Sequence, residues 1–198
     1  MDTEFRGASY IPFIKYNGQI YIMLFKSKRI VYCDLGGHRE NNETPEDTCM
    51  REVNEESLNT LNVNLEKSKK VFFKGYYCFF ENININFNRF NSTYINNKKS
   101  LDEMELPDHW KETIKVDLFP LSSFINVIND NKTVYLCKDA WGNEKKVWFR
   151  VIKYIKHAIM EKILYFENGF IKNDLEEKRI IKVDKNFNNL NNTVTIFI

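Results

Sequence analysis

The sequence predicts a protein of the α/β (α+β) class, because strand signals and helix signals both occur along its 198 residues. The first observation is a hairpin signal near the start, where Asn17-Gly18 separates the apolar runs 9–15 and 19–25. The second is a well-capped helix start that follows a pair of glycines, and the third is an apolar stripe with helical spacing towards the C-terminus. With 43% hydrophobic residues, a chain of this length can bury a sizeable core as one domain.

The capped helix can be placed residue by residue. Thr44 is a suitable N-cap, Pro45 suits the first helical position, and Asp47 can complete a capping box. The helix is expected to end near Leu58, where Asn59 can adopt the left-handed conformation that usually requires glycine.

The other elements are predicted from apolar periodicity and turn residues. A buried strand over 30–35 runs into a turn at Gly36-Gly37, and two further strands are predicted over 71–80 and 82–87. A polar loop over 88–99 and an acidic irregular segment over 101–111 follow. The next elements are a strand over 113–119 closed by Pro120, a short helix from Ser122 and a turn over 139–143. A helix of roughly twenty residues is predicted from the spacing of Val147, Val151, Ile155, Ile159, Ile163 and Phe166, and it ends at Gly169. Residues 1–170 are assigned to one domain and residues 171–198 to a tail whose run 193–198 could add an edge strand.

Composition excludes several classes of protein. The 29 basic and 27 acidic residues give a net charge of +2, so no global field marks a nucleic-acid coat protein. The four cysteines, which are widely spaced in apolar contexts, indicate reduced core residues in a cytosolic protein. No apolar run approaches the ~18 residues needed to span a bilayer, so a soluble, cytoplasmic protein without a membrane partner is expected. The sequence does not indicate an oligomeric state.

The predicted helix has an acidic face. Glu52, Glu55 and Glu56 are three and four residues apart, and like charges at this spacing destabilise a helix by a few tenths of a kcal/mol. Glu40 and Glu43 lie in the loop that leads to this helix. Several oxygen ligands that converge with a backbone carbonyl suit a hard cation such as Mg²⁺ or Mn²⁺. The alternative for such a group of glutamates is a solvated acidic face.

The spacing of these residues follows a longer pattern. It consists of Gly37, five residues, Glu43, seven residues, Arg51-Glu52, the apolar Val53, one residue and Glu55-Glu56. This pattern closely resembles the signature of the Nudix hydrolases. The family usually has glycine where this chain has Leu58, and some members have it where this chain has Asn59. The resemblance extends over about residues 7–166 and implies a Nudix-type α/β/α sandwich with a mixed central sheet. Because the excess of Asn, Ile and Lys is typical of an AT-rich genome, a viral member is one candidate.

The resemblance also implies roles for individual residues. Matches to the family's metal ligands are Glu52, Glu55, Glu56 and the carbonyl of Gly36, with Glu40 as an acid often found near the metals. Glu43 and Arg51 match a structural salt bridge that braces the loop against the helix. The implied cofactor is Mg²⁺ or Mn²⁺, and the implied reaction is hydrolysis of a nucleoside diphosphate derivative by attack of water on phosphorus.

The proton acceptor for that water differs among family members. Glu52 is one candidate, and the other is a loop glutamate after the sheet, here Glu103, Glu105 or Glu112. Glu112 is the first choice among the three, because its distance from the Phe119-Pro120 step is similar to that in relatives. The alternative for each is an ordinary exposed acidic residue.

Candidate substrate-binding residues are cationic or aromatic. Lys26, Lys28 and Arg29 end a predicted strand before the signature, and His38 follows the glycines, although each could simply be solvated. Aromatic side chains that could stack on a base, or form the core, are Tyr76, Tyr77, Phe79 and Phe80. A basic stripe on the last predicted helix, whose alternative is a solvated face, is a candidate RNA-binding track; its members are Lys146, Arg150, Lys153 and His157.

Three functions remain open from the sequence. The first is a pyrophosphohydrolase that acts on a small nucleotide derivative, with a nucleoside diphosphate-linked substrate. The second is removal of the mRNA cap from capped RNA, which the basic stripe and the AT-rich composition favour. The third is a Nudix-fold binding module that no longer reacts, against which the intact Arg51-Glu52 and Glu55-Glu56 argue.

Overall fold

The structure of the chain is a computed structural model that describes residues 4–103, 108–125, 127–167, 170–173, 181–182 and 195–196. Within these residues, one large sheet contains the strands β1 (Gly7–Tyr16), β2 (Gln19–Ser27), β3 (Tyr32–Cys33), β4 (Leu35–His38), β5 (Lys69–Phe73), β6 (Tyr76–Ile83), β7 (Thr113–Pro120), β8 (Val134–Lys138) and β9 (Glu144–Trp148). The α-helices are α1 (Pro45–Glu56), α2 (Phe87–Asp102), α3 (Ser122–Ile125) and α4 (Phe149–Met160). Two short ladders follow, in which β10 (Leu164–Glu167) pairs with β11 (Phe170–Asn173) and β12 (Ile181–Lys182) pairs with β13 (Thr195–Ile196).

Strand β1 lies inside the sheet because it pairs with three other strands. Its first half, from Gly7 to Tyr10, runs antiparallel to β4, and its second half runs antiparallel to β2. On its other edge, β1 is parallel to β6. Strand β2 also pairs with β7 and β3, and β3 is parallel to β9. The sheet is therefore mixed, and β4 is held beside β1 and packs next to α1.

Helices cover both faces of this sheet. Buried side chains of α1 and α2, among them Cys49, Val53, Phe90 and Tyr94, belong to one apolar cluster. Buried side chains of α3 and α4, among them Phe124, Val151 and Ile155, belong to a second cluster that contains other sheet residues. The predicted arrangement, a mixed sheet between two layers of helices, is confirmed.

The local prediction for α1 is confirmed. The Thr44 side chain accepts a hydrogen bond from the backbone N–H of Asp47, the Asp47 carboxylate accepts one from the Thr44 N–H, and Pro45 is the first helical residue. After the helix, Leu58 and Asn59 have φ angles of 59° and 54°, so both lie in the left-handed region. The buried side chain of Leu58 anchors this turn in the core, which stabilises a conformation that favours glycine.

Two strand predictions were wrong in their boundaries. Gly36 and Gly37 do not form a turn; they lie within β4, since the first half of β1 supplies their hydrogen-bonding partners. The aromatic run 71–80 is not one strand but parts of β5 and β6, which reverse direction at Lys74-Gly75, where φ is 50° and 88°. Strand β6 then ends at Ile83, within the segment predicted as the next strand.

The polar loop predicted over 88–99 was also wrong, because this segment lies in α2. Between its asparagines, Phe87, Phe90 and Tyr94 follow a helical spacing, and all three are buried against the sheet. Asn86 caps the helix by accepting a hydrogen bond from the backbone N–H of Arg89. Tertiary burial therefore outweighs the low helix propensity of the asparagines.

The last long helix is shorter than predicted. Helix α4 has 12 residues, whereas Val147 lies in β9 and Phe166 lies in β10. Strands β8 and β9 form a hairpin around the predicted turn at 139–143. At the other end, Lys162 has a φ of 61° and the Ile163 N–H donates to the Ala158 carbonyl, which ends the helix before residue 163.

Several other expectations concern the remainder of the chain. Strand β7 and the short helix α3 lie where they were predicted, and the four cysteines are buried and free. The final run 193–198 falls largely outside the described residues, and Thr195–Ile196 pairs with Ile181–Lys182 instead of the main sheet. The boundary at residue 170 stays a prediction. No helix within the described ranges is long and apolar enough to cross a membrane.

Candidate active site

The glycines of β4 lie directly against the acidic face of α1. A Cβ atom on Gly37 would overlap with Oε1 of Glu52, so a side chain there would displace this carboxylate. The backbone N–H of Gly36 donates a hydrogen bond to Oε2 of Glu56 over 2.6 Å. The glycine pair therefore allows two glutamates, one helical turn apart, to contact the same strand.

Glu56 is the most deeply buried of the three glutamates on this face. Its relative exposure is only 7%, and burial raises the pKa of its carboxyl group well above the usual value. The hydrogen bond from Gly36 lowers this pKa, but the negative charges of Glu52, Asp34 and Glu112 raise it further. Burial also raises the pKa of Glu52, against the lowering effect of Arg51, while Glu55 and Glu112 add to the increase. The site thus brings several carboxyl groups close together where little water reaches them, which disfavours their charged forms unless a cation is near.

One cation among the glutamates belongs to the chain itself, because Arg51 lies between them. Its Nη1 donates hydrogen bonds to Oε1 of Glu52 over 2.8 Å and to Oε2 of Glu55 over 3.4 Å. Its Nε and Nη2 donate to the two carboxylate oxygens of Glu43 over 2.8 and 3.2 Å, which gives a bidentate salt bridge. Glu40 is exposed and its Oε1 is 3.9 Å from Nη1 of Arg51, at the outer edge of the group.

The Glu43 side chain connects the loop that precedes α1 to the helix itself. Besides Arg51, its Oε2 accepts hydrogen bonds from the backbone N–H of Glu40 over 3.0 Å and from the Thr48 hydroxyl over 2.9 Å. Arg51 also donates to the carbonyl of His38 over 2.8 Å. The bond from Arg51 is the main reason that the pKa of Glu43 falls from 4.5 to about 2. The predicted salt bridge is present and has the geometry of a structural brace.

Whether these residues fit a divalent cation depends on the oxygen atoms that they leave available. In the described parts of the chain, no three side chains of His, Cys, Asp or Glu already converge as a ligand group. Glu52, Glu55 and Glu56 nevertheless each use one oxygen in the hydrogen bonds between described residues, so each has a second oxygen for another ligand. One arginine cannot neutralise all the glutamates around it. The donor atoms and the excess negative charge therefore fit a hard cation.

The candidate proton acceptors differ in their positions. Glu112 directly precedes β7, its negative charge raises the pKa of both Glu52 and Glu56, and its carbonyl accepts a hydrogen bond from the N–H of Lys28 over 3.0 Å. Glu103 is the exposed C-cap residue of α2. Glu105 lies outside the described residues. Of the two described loop glutamates, Glu112 is the one whose charge raises the pKa of the α1 glutamates.

The candidate substrate-binding cations lie in three places. The hydrogen bond between Lys28 and Glu112 brings the exposed turn of Lys28 and Arg29 close to the acidic site. Lys26 is partly buried in β2, opposite Lys115 of β7. His38 is exposed at the end of β4, where its Nδ1 is 3.0 Å from the Tyr76 hydroxyl.

The basic stripe predicted for RNA does not exist as a helical stripe. Lys146 is exposed on β9, whereas Lys153 lies on α4 and its Nζ is 3.4 Å from Oδ1 of Asn131. Arg150 is directed to the protein interior, where its Nη2 is 3.2 Å from Oδ2 of Asp34 and 3.3 Å from the carbonyl oxygen of Gly36. Because β9 ends at Trp148 and α4 begins at Phe149, Lys146 is not on the helix that carries Arg150 and Lys153, so the helical spacing in the sequence was misleading.

Sequence reasoning missed Asp34. Its side chain is fully buried between β3 and β4, beside the glycine pair. The available signal was a single carboxylate inside the otherwise apolar run 30–35, which predicts a buried cationic partner. The identity of that partner could not be read from the sequence.

Comparison with known proteins gives matches at the level of structure only. No protein-family model matches the sequence, and no curated protein matches it. A MutT/nudix family protein from Enterococcus faecalis is similar over 81% of this chain and 64% of its own, with 14% identity and a TM-score of 0.47. The NUDIX domain of Shewanella oneidensis NrtR, in complex with ADP ribose, covers 80% of this chain and 90% of its own, with 9% identity and a TM-score of 0.44. An Ap4A hydrolase from C. elegans covers 39% of this chain and 67% of its own, with 20% identity and a TM-score of 0.29. Because these TM-scores are below 0.5, the similarity does not by itself indicate a function for this chain.

Proposed function

We propose that this chain is a Nudix-type pyrophosphohydrolase that hydrolyses the diphosphate linkage of a nucleoside diphosphate derivative with the help of Mg²⁺ or Mn²⁺. The observation that carries the proposal is the junction of β4 and α1, where Glu52 and Glu56 contact the Gly36-Gly37 backbone. Glycine at these positions and carboxylates at this helical spacing are the parts of the Nudix signature that require a specific geometry. The Glu43–Arg51 salt bridge holds the loop of that signature in place.

The cation would be held by Glu52, Glu55 and Glu56 together with the carbonyl of Gly36, and Glu40 is an outer candidate. When bound, it would neutralise charge on the phosphates and lower the pKa of the attacking water. The three glutamates can serve it because each retains an oxygen that the described contacts do not use. The Gly36 carbonyl accepts a hydrogen bond from Arg150 over 3.3 Å and has a second lone pair that could serve the cation.

We assign Glu112 as the first candidate for the general base and Glu52 as the second. The Glu52 carboxylate is engaged by Arg51, whereas the Glu112 side chain is exposed and lies within electrostatic reach of the α1 glutamates. In the reaction, the water oxygen forms a bond to phosphorus, its proton passes to the carboxylate, and the bond from phosphorus to the bridging oxygen breaks. Glu105 stays a prediction, since it is not among the described residues.

The substrate phosphates are negatively charged, so cations beside the site are expected to bind them. Lys28 and Arg29 are the best placed, because their turn is bonded to the Glu112 segment. Lys26 and His38 are further candidates at neighbouring strand ends. Four buried free cysteines also favour a reducing, cytoplasmic environment for the protein.

A small nucleotide derivative is the preferred substrate class, because the basic stripe that favoured capped RNA is not a continuous surface. Incubation of the protein with Mg²⁺ or Mn²⁺ and a panel of substrates tests this choice. The panel contains nucleoside triphosphates, dinucleoside polyphosphates, ADP-ribose and capped RNA, with products identified by mass spectrometry in ¹⁸O-labelled water. The position of the label identifies the phosphorus that water attacks.

Glu52→Gln and Glu56→Gln are expected to lower turnover by more than about 100-fold, because each removes a carboxylate charge from the site. Glu112→Gln tests the general base and is expected to lower kcat by about 100-fold or more. Glu46→Gln is the matched control: it lies on the same helix, but Glu46 forms an exposed ion pair with Lys70. Absence of turnover on the whole panel would support a binding module, and equal turnover by Glu52→Gln would refute the assigned site. Cleavage of capped RNA alone would favour decapping.

A further inference from the structure

Asp34 and Arg150 form a buried ion pair on the side of β4 that faces α4. The Asp34 side chain has no exposed surface and the Arg150 side chain is 17% exposed. Nη2 of Arg150 is 3.2 Å from Oδ2 of Asp34, at an angle that makes no hydrogen bond, and Nε donates to Oδ1 over 3.4 Å. Buried ion pairs contribute little net stability, because desolvation offsets the attraction. Stability alone therefore does not explain why the pair is placed here.

The position of the Arg150 guanidinium is fixed by more than its partner carboxylate. It lies over the ring of Trp148, with a distance of 4.5 Å to the ring centroid, and 5.7 Å from the centroid of Tyr76. Its Nη2 also donates to the carbonyl oxygen of Gly36 over 3.3 Å. Two aromatic rings, a carboxylate and a backbone carbonyl thus surround one cation, which leaves it little freedom to move.

Arg150 reaches the candidate active site through Gly36. The Gly36 carbonyl accepts from Arg150, and the Gly36 N–H donates to the Glu56 carboxylate over 2.6 Å. Asp34, two residues before Gly36, is held by the same guanidinium. Helix α4 on one face of the sheet is therefore connected through β4 to a glutamate of α1 on the other face.

We propose that Arg150 is a positioning residue of the candidate active site: by holding the Asp34 carboxylate and the Gly36 carbonyl together, it fixes the β4 backbone against Glu56. This inference rests on the proposed function, because it takes Glu56 as a ligand of the divalent cation. Arg150 acts through Gly36 and does not itself bind the cation. Loss of such a supporting contact around a metal site commonly lowers metal affinity about 10- to 100-fold.

The test measures Mn²⁺ binding without any nucleotide, by the electron paramagnetic resonance signal of free Mn²⁺. Arg150→Met keeps much of the side-chain length but removes the charge and every hydrogen bond, and we expect its Kd for Mn²⁺ to rise at least about tenfold. The Kd of Arg150→Lys for Mn²⁺ is expected to lie between those of the wild type and Arg150→Met, since one ammonium cannot hold both Asp34 and Gly36 as a guanidinium does. Lys153→Met is the matched control on the same helix, and its Kd should equal that of the wild type.

A double variant separates positioning from folding. Asp34→Asn combined with Arg150→Met removes both buried charges, so it is expected to fold with a melting temperature near that of the wild type. We expect it to bind Mn²⁺ as weakly as Arg150→Met does, and to need correspondingly more Mn²⁺ for half-maximal turnover. Wild-type Mn²⁺ affinity in this folded double variant, or in Arg150→Met, would overturn the inference and leave the proposed function intact. Failure of the wild type to bind Mn²⁺ would refute both.

Discussion

Replacement of Glu43 by glutamine would remove the negative charge from the bidentate contact with Arg51 but keep the shape of the side chain. The two carboxylate oxygens of Glu43 accept bonds of 2.8 and 3.2 Å from Arg51, together with bonds from Thr48 and the Glu40 N–H. An amide can accept at only one of its two terminal atoms, and its NH₂ group would face the guanidinium. We therefore expect Glu43→Gln to destabilise the fold.

The size of the effect follows from the pKa of Glu43. Its fall from 4.5 to about 2 corresponds to about 3 kcal/mol of preferential interaction with the charged form. The side chains of Glu43 and Arg51 are 20% and 21% exposed, and solvent screening at such partly exposed sites reduces this to about 1–2 kcal/mol. Because the folded-state pKa is lower than the unfolded one, this stabilisation is fully present above pH 4.5 and is lost as the pH falls towards 2.

Urea unfolding followed by tryptophan fluorescence measures the prediction. At pH 7, Glu43→Gln should have a free energy of unfolding about 1–2 kcal/mol below that of the wild type. As the pH falls from 4.5 towards 2, the difference should shrink, because Glu43 is protonated first in the unfolded state and only at the lowest pH in the folded state. Glu46→Gln on the same helix is the control, and its exposed pair with Lys70 should contribute less than about 1 kcal/mol. An equal loss in both variants, or a Glu43→Gln difference that does not change with pH, would refute the reasoning.

Three further predictions follow from the same region. Glu56→Gln should raise the free energy of unfolding at pH 7 by about 1 kcal/mol and lower turnover by more than about 100-fold, because burial raises the pKa of this carboxyl group above its unfolded value, so that its charge destabilises the fold. The gain in free energy of unfolding should be smaller at pH 5 than at pH 7; denaturation at both pH values measures it, and a destabilised variant would contradict the prediction. Gly37→Ala should lower turnover about 100-fold with a small change in stability, because its methyl group displaces only the flexible end of Glu52. Unchanged turnover would show that the close contact of Gly37 with the Glu52 carboxylate is not needed for the reaction. Asn59→Gly should raise, and Asn59→Val lower, the melting temperature by a few degrees, because the φ of 54° favours glycine and disfavours a β-branched side chain; the reverse order would contradict the left-handed helix end.

The predictions from sequence succeeded where a few neighbouring residues decide the structure. The capping box of α1 and the first hairpin depend on residues adjacent in sequence, so short patterns identified them. The predictions failed where burial competes with propensity. Helix α2 is rich in asparagine and was predicted as a loop, but the packing of its aromatic residues against the sheet stabilises it. The turn between β5 and β6 lies at Lys74-Gly75, inside a run rich in aromatic residues. A prediction based on apolar character alone therefore missed this turn.

The sequence by itself determined the acidic face of α1, because the period of a helix restricts where those side chains can lie. It also contained the glycine pair, and the resemblance to the Nudix signature implied the Glu43–Arg51 salt bridge that the structure contains. Only the tertiary structure decided how these parts are used. It placed Glu56 in a buried contact with Gly36, and it brought Glu112 within electrostatic reach of both Glu52 and Glu56. It also showed that Arg150, which was predicted to bind RNA, instead contacts the carboxylate of Asp34, 116 residues away in the sequence. Such a contact depends on how helices pack on the two faces of the sheet, which a local sequence pattern does not predict.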